Sequence, residues 1–158
     1  MIRVRDLHKA YGNLQVLRGL SLDIPTGELV AIVGPSGAGK STLLQLMGAL
    51  DKPDRGEVLY HDQSVFALSD SALATFRNQQ IGFVFQQHHL LPEFTAEENV
   101  LLPAMISGKI TATKKAYAQE LFDLLGVSQR KDHKPAALSG GEQQRFAVAR
   151  ALINQPAV

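Results

Sequence analysis

The chain has 158 residues, 45% of them apolar and 20% charged, with a formal net charge of +1. That length can bury one substantial core, and the near-balanced charge argues against a general polyanion binder. The absence of cysteine excludes disulfides, thiolate metal sites and a cysteine nucleophile. Lys109, Lys114, Lys115, Arg130 and Lys131 form small basic groups that read as solvated faces, so no nucleic-acid partner is expected. The first residues, Met1 to Asp6, lack the apolar stretch of a signal peptide. The longest apolar runs, such as Val100-Leu101-Leu102, are too short to span a bilayer. Work at a membrane would need spanning segments from another chain.

In chain order, residues 2–24 read as two short alternating strands carrying Ile2, Val4, Leu7 and then Val16 to Ile24, with a turn at Gly12-Asn13. Pro25-Thr26-Gly27 is a second turn. Leu29 to Val33 is a continuous apolar run, the pattern of a strand buried on both faces. A glycine loop follows, then a helix through Thr42 to Met47. Pro53 to Gly56 turns into a strand over Glu57 to Tyr60. Ser69 is a candidate N-cap for a helix through Leu73 and Phe76. Ile81 to Phe85 reads as a further strand.

Beyond Gln86 the pattern is helical. Thr95 and Glu98 have capping-box spacing, and Pro103 is expected to kink or end the helix they open. Tyr117, Leu121, Leu124 and Leu125 fall on one face of a second helix, with Gly126 suited to its left-handed cap. The expected architecture is an α/β parallel-sheet core over residues 1–86, including an N-terminal antiparallel part. A helical insert over 87–137 and a last segment, 138–158, complete it.

Gly34-Pro35-Ser36-Gly37-Ala38-Gly39-Lys40-Ser41-Thr42 matches the phosphate-loop pattern. Small residues let the backbone wrap an anion so that several N–H groups converge on it, and the following helix adds unpaired donors. Lys40 can place a charge near the β- and γ-phosphates, and the Ser41 hydroxyl can ligate Mg²⁺. By itself the motif does not separate a kinase, a GTPase and an ATPase.

Leu138-Ser139-Gly140-Gly141-Glu142-Gln143-Gln144-Arg145 opens a helix expected to run through Gln155, with Gln144, Val148, Ala151 and Leu152 on one face. A serine hydroxyl and two glycine amides at a helix start can bind an anion. Alone, Ser139-Gly140-Gly141 reads as an ordinary cap that satisfies its own helix, and the full octet reverses that reading.

The two motifs together resemble the nucleotide-binding domain of ATP-binding-cassette (ABC) proteins. Gly34 to Thr42 looks like the Walker A motif and Leu138 to Arg145 like the signature. The resemblance implies that Tyr11 is the aromatic residue that stacks on adenine. It also implies that Gln86 is the glutamine that senses Mg²⁺ and couples to a membrane partner. Taken singly, Tyr11 could be a packing aromatic and Gln86 a polar strand terminus. Phe83 to Thr95, with Glu98-Asn99-Val100 behind, is similar to the lipoprotein-releasing type and its macrolide-exporter relatives. His88 and His89 are adjacent, so they point apart and read as surface or interface residues, not a metal pair.

The resemblance implies ATP and Mg²⁺ as ligands. It implies a head-to-tail dimer with a second ABC subunit, in which Ser139, Gly140 and Gly141 reach the γ-phosphate bound opposite. It also implies permease subunits and a place on the cytoplasmic face of a bacterial inner membrane. The family's Walker B Asp and Glu, and its switch histidine, have no counterpart in these residues. None of Asp54, Asp62 or Asp70 ends an apolar strand run. The expectation is therefore a cassette incomplete at its C-terminus and deficient in hydrolysis.

Two other classes stay open. One is a soluble ABC ATPase outside transport, although the Gln86 to Leu138 interval is too short for the coiled coil of DNA-repair members. The other is a non-catalytic nucleotide-binding fragment. A phosphate-loop kinase or GTPase is disfavoured by the signature octet.

Overall fold

The computed structural model describes residues 1–108 and 110–158. Lys109, one of the basic residues noted above, lies outside them. The chain divides into two compact units, Met1–Ala74 and Thr75–Val158.

The first unit holds one antiparallel sheet of order β2-β1-β3-β4, from β1 (Ile2–Tyr11), β2 (Leu14–Ile24), β3 (Arg55–Tyr60) and β4 (Gln63–Ser64). Strand β1 buries Ile2 and Val4, then Leu7 and Lys9. The change from even to odd numbers occurs at a register shift between Val4 and Leu7, where Asp6 has φ 46°. The extra residue of this bulge keeps both halves of the strand facing the core. Lys9 and Tyr11 therefore project from the same face. Helix α1 (Lys40–Met47) buries Leu43, Leu46 and Met47. The buried Tyr60 hydroxyl donates to the Met47 carbonyl at 2.8 Å, and burial pushes that phenol up to about 12.

Helix α2 (Asp70–Gln80) crosses from the first unit into the second. As expected, Ser69 caps it, its Oγ accepting from Ala72 at 3.4 Å.

The second unit is built on α3 (Ala96–Ile106), α4 (Ala112–Leu124) and α5 (Gly140–Leu152). Val100, Leu121, Phe122, Val127, Phe146 and Ile153 belong to its apolar core. Phe122 and Phe146 meet edge to face at 5.5 Å. The Thr95–Glu98 capping box forms. Buried Asn99 satisfies the loop before α3, accepting from Leu91 N–H at 2.7 Å and donating to the Leu91 carbonyl at 3.0 Å.

Several expectations need correction. Leu29–Val33 and Ile81–Phe85 are not strands. Leu29 and Val33 stand exposed. A strand exists only through its neighbours' hydrogen bonds, and the described residues place no ladder beside either run. Gly82 N–H reaches the Val158 carbonyl at 2.7 Å, but no ladder follows. The ladders formed among the described residues are antiparallel, while Val158 also donates its N–H to the Gln80 carbonyl at 3.1 Å.

Pro103 lies inside α3, which continues to Ile106. A proline in a helix leaves a carbonyl one turn back without its usual donor but does not forbid the next turn. Leu124 is 80% exposed, whereas Leu121 packs inward and Gly126 takes the left-handed cap with φ 65°. Helix α5 stops at Leu152, short of Gln155.

The basic residues are not all solvated. Lys114 donates to the Ile153 carbonyl at 2.8 Å, and Lys131 to Gln119 Oε1 at 2.9 Å.

Candidate functional site

The phosphate loop connects the turn after β2 to the start of α1. Gly37 and Gly39 have φ 81° and 88°, a backbone region that disfavours side chains. The Ala38 N–H closes on the Pro35 carbonyl at 3.3 Å. A Cβ on Gly39 would sit 2.9 Å from Val16 Cγ1 and 3.0 Å from Leu17 Cδ2, so the loop lies directly against β2. Lys40 Nζ donates to the carbonyls of Gly34 and Pro35, each at 2.8 Å. The ammonium is thus held over the loop, where an incoming anion would meet it.

A cleft of about 330 Å³ opens here, lined by Ser36, Gly37, Gly39, Lys40, Ser41 and Thr42, with Tyr11, Leu14 and Val16 on its β-sheet side. Ser41 lies in the first turn of α1, whose leading amides have no intrahelical partner. Ser41 is exposed and lines the same cleft as Lys40, and its hydroxyl is a hard oxygen donor of the kind Mg²⁺ takes.

Tyr11 lines the cleft and is 46% exposed as a residue. Its hydroxyl donates to Asp51 Oδ2 at 2.8 Å, and that bond holds the phenol above its ordinary pKa. Lys9, buried beneath, donates to Asp51 Oδ1 at 2.8 Å and the Lys52 carbonyl at 2.7 Å. Its ammonium is 5.2 Å from the Tyr11 ring centre. The Lys9 hydrogen bond holds the Asp51 carboxyl below its usual range. Sequence reasoning missed Lys9 and Asp51. The Lys9-x-Tyr11 spacing on a strand was the available signal, but Asp51 is distant in sequence.

In the second unit Ser139 caps α5. Its Oγ accepts from Glu142 N–H at 3.3 Å and donates to Glu142 Oε2 at 2.8 Å, while Ser139 N–H donates to the same oxygen at 2.7 Å. The ordinary-cap reading is therefore realised. Hydrogen bonds from Ser139 hold the Glu142 carboxyl below its usual range, with Arg130 Nε adding an ion pair at 3.2 Å. Gly140 and Gly141 are exposed at the first two helical positions, where amides lack intrahelical acceptors. A Cβ on Gly140 would meet nothing within 4 Å. Leu138 is buried, and Gln143 Nε2 donates to the Pro135 and Leu138 carbonyls at 3.0 and 3.2 Å.

Gln86 is exposed in a bend. Downstream of it Arg150 of α5 donates to the carbonyls of His88 and His89, both at 2.7 Å. Burial lowers the Arg150 pKa, so these bonds are made by a half-desolvated cation. His88 is half-buried, and the exposed His89 sets its ring edge against Phe85 at 5.2 Å. Among the described residues no group of carboxylates and histidines is placed to hold a metal.

A glycine loop wound ahead of a helix, with a lysine ammonium over it and a hydroxyl in the same cleft, is a phosphate-binding site of the P-loop class. The family model described as "ABC transporter" matches residues 17–158. The chain belongs to the ABC transporter family. Over 158 residues it is 56% identical to the lipoprotein-releasing system ATP-binding protein LolD of Bacteroides fragilis, covering all of this chain and 73% of that protein. It is 53% identical to LolD of Myxococcus xanthus over 162 aligned positions, covering all of this chain and 72% of that protein. The solved dimeric structure of MJ0796, a bacterial ABC transporter cassette, superposes with a TM-score of 0.91 at 42% identity, covering 99% of this chain and 71% of that one. A post-hydrolysis state of MJ0796 bound to ADP and Pi superposes with a TM-score of 0.90. The chain is thus an ATP-binding cassette of the ABC ATPase family.

Proposed function

We propose that the chain is the ATP-binding subunit of a membrane complex that releases lipoproteins. Walker A, Gly34 to Thr42, takes the phosphates, with Lys40 on the β- and γ-phosphates and Ser41 on Mg²⁺. Tyr11 stacks on adenine. Gln86 senses the metal and couples to permease subunits at the cytoplasmic face of the membrane. Leu138 to Gln143 form the signature, whose Ser139, Gly140 and Gly141 contact the γ-phosphate held by a second ABC subunit. Residues 1–86 act as the nucleotide core, 87–137 as the helical coupling segment and 138–158 as the signature segment. The observation that carries this reading is the phosphate loop itself, left-handed at Gly37 and Gly39 with the Lys40 ammonium above it. The likeness to lipoprotein-releasing ATP-binding proteins supports the choice of cargo.

ATP acts as glue in such a dimer, because it stabilises the closed state through contacts made only there. Gly140→Arg tests this in a cassette that spans the full length of its relatives. Gly140 is exposed and an added Cβ there meets nothing within 4 Å, so ATP binding by the monomer is expected to be retained. It fills the surface a second subunit's phosphate must reach, so ATP-driven dimerisation is lost. Unchanged dimerisation by light scattering overturns the reading.

A second element of the proposal is that residues 1–158 bind nucleotide but turn it over poorly when expressed alone. Asp54 is engaged with Ala10 N–H at 2.6 Å, Asp62 pairs with Arg3, and Asp70 starts α2. These carboxylates are committed to structure and away from the cleft lining. Family-typical, Lys40-dependent ATP hydrolysis by residues 1–158 alone would contradict it.

A further inference from the structure

We propose that Lys9 and Asp51 are positioning residues that fix the Tyr11 ring as a preformed platform for the nucleotide base. The inference rests on the reading of Tyr11 as the base-stacking residue and explains how that ring is aimed.

Three restraints converge on Tyr11. Lys9 and Tyr11 stand two residues apart on β1, and the contact of the ammonium with the ring puts both side chains on one side of the strand. The Lys9 ammonium then lies 5.2 Å from the ring centre and occupies one side of it, while Tyr11 as a residue stays 46% exposed and lines the cleft. The phenol oxygen is tied to Asp51 Oδ2. A tyrosine with its hydroxyl bonded and a cation over one face has little freedom to swing about χ1, and its remaining face is presented for stacking.

Asp51 in turn is placed by α1. Leu50 and Asp51 N–H groups both bond the Gln45 carbonyl, at 2.8 and 3.3 Å, so Asp51 follows the helix end directly. Its Oδ1 also accepts Lys52 N–H at 2.7 Å. Helix α1 therefore carries the phosphate donors at its first turn and the tyrosine anchor just past its last. One rigid element sets the spacing between the phosphate cradle and the ring. A buried lysine is costly unless paired. Lys9 recovers that cost through Asp51 and the Lys52 carbonyl, both part of this anchor.

The experiment compares two probes on the purified chain by calorimetric titration with Mg²⁺: ATP, and inorganic tripolyphosphate, which has no base. Tyr11→Phe removes only the phenol oxygen. Asp51→Asn keeps the shape but leaves one acceptor oxygen, so Lys9 Nζ and the Tyr11 hydroxyl can no longer each donate to an oxygen of their own. Each is expected to weaken ATP by about three- to tenfold while tripolyphosphate changes by less than about twofold. Tyr11→Ala is expected to weaken ATP by about tenfold or more. In that background Asp51→Asn should have no further effect on ATP. Equal weakening of both probes by Asp51→Asn and Tyr11→Phe means the contacts merely support the fold, and overturns the proposal. ATP weakened by Tyr11→Ala but unchanged in the other two overturns positioning while leaving the stacking role intact. ATP unchanged in Tyr11→Ala refutes the stacking role and positioning with it. If Asp51→Asn does not fold, as judged by circular dichroism, Tyr11→Phe alone decides by the same two-probe comparison.

Discussion

The Lys40 ammonium lies 2.8 Å from the carbonyl oxygen of Gly34, six residues earlier, and equally close to that of Pro35. The same side chain that completes the phosphate site therefore also closes the loop. Lys40→Ala is expected to lower ATP affinity by about tenfold or more, because charge-assisted hydrogen bonds are lost. The thermal shift produced by ATP should disappear with it, while the melting temperature without ATP moves little, since the two bonds are exposed. A preserved ATP-induced shift would contradict this.

Two glycines of the loop should respond differently to alanine. At Gly37, φ is 81° and an added Cβ meets nothing within 4 Å, so only backbone strain of about 1 kcal/mol opposes the change. At Gly39, with φ 88°, the same Cβ also presses on Val16 and Leu17. Gly39→Ala is expected to cost about 2–4 kcal/mol. Urea unfolding of the two variants measures the difference.

The cap of α5 should depend on pH. Glu142 has its carboxyl pKa lowered, chiefly by the Ser139 hydrogen bonds. A depressed folded-state pKa gives stability that is fully present above the group's ordinary value and lost as pH falls through the lowered one. Protection factors of the amides in the first turn of α5, corrected for the intrinsic pH dependence of exchange, should therefore fall on acidification. Glu142→Gln should flatten that response. Ser139→Ala should cost about 1 kcal/mol at neutral pH.

Arg150 ties α5 to the segment after Gln86 through the carbonyls of His88 and His89. Arg150→Met keeps much of the packing but leaves both carbonyls without their donor. Hydrogen exchange over residues 86–91 should rise severalfold while the core of α3 and α4 stays protected. Uniform loosening across the second unit would instead indicate a global role.

Chemistry written in contiguous residues was legible in the sequence. The phosphate loop, the Thr95–Glu98 capping box and the Ser139 cap depend on local spacing, and each formed where its residues stand. So did the β1–β2 hairpin at Gly12-Asn13. What differed were two strand assignments that need a partner distant in sequence. Leu29–Val33 and Ile81–Phe85 have the composition of buried strands, yet a ladder is a property of two segments, and none formed beside either. Leu124 fits a helical stripe by number, but the 80% exposure of its side chain was set by where α3 and α5 pack.

The sequence by itself thus determined that this protein handles nucleotide phosphate, because nine adjacent residues carry the backbone shape, the charge and the hydroxyl. Only tertiary structure decided how the Tyr11 side of the cleft is built. Lys9, Tyr11 and Asp51 come from a strand and a helix end some forty residues apart, and folding alone brings the carboxylate against the phenol. Side chains distant in sequence share a hydrogen bond only after the sheet and helix have packed, so no reading of spacing could have paired them.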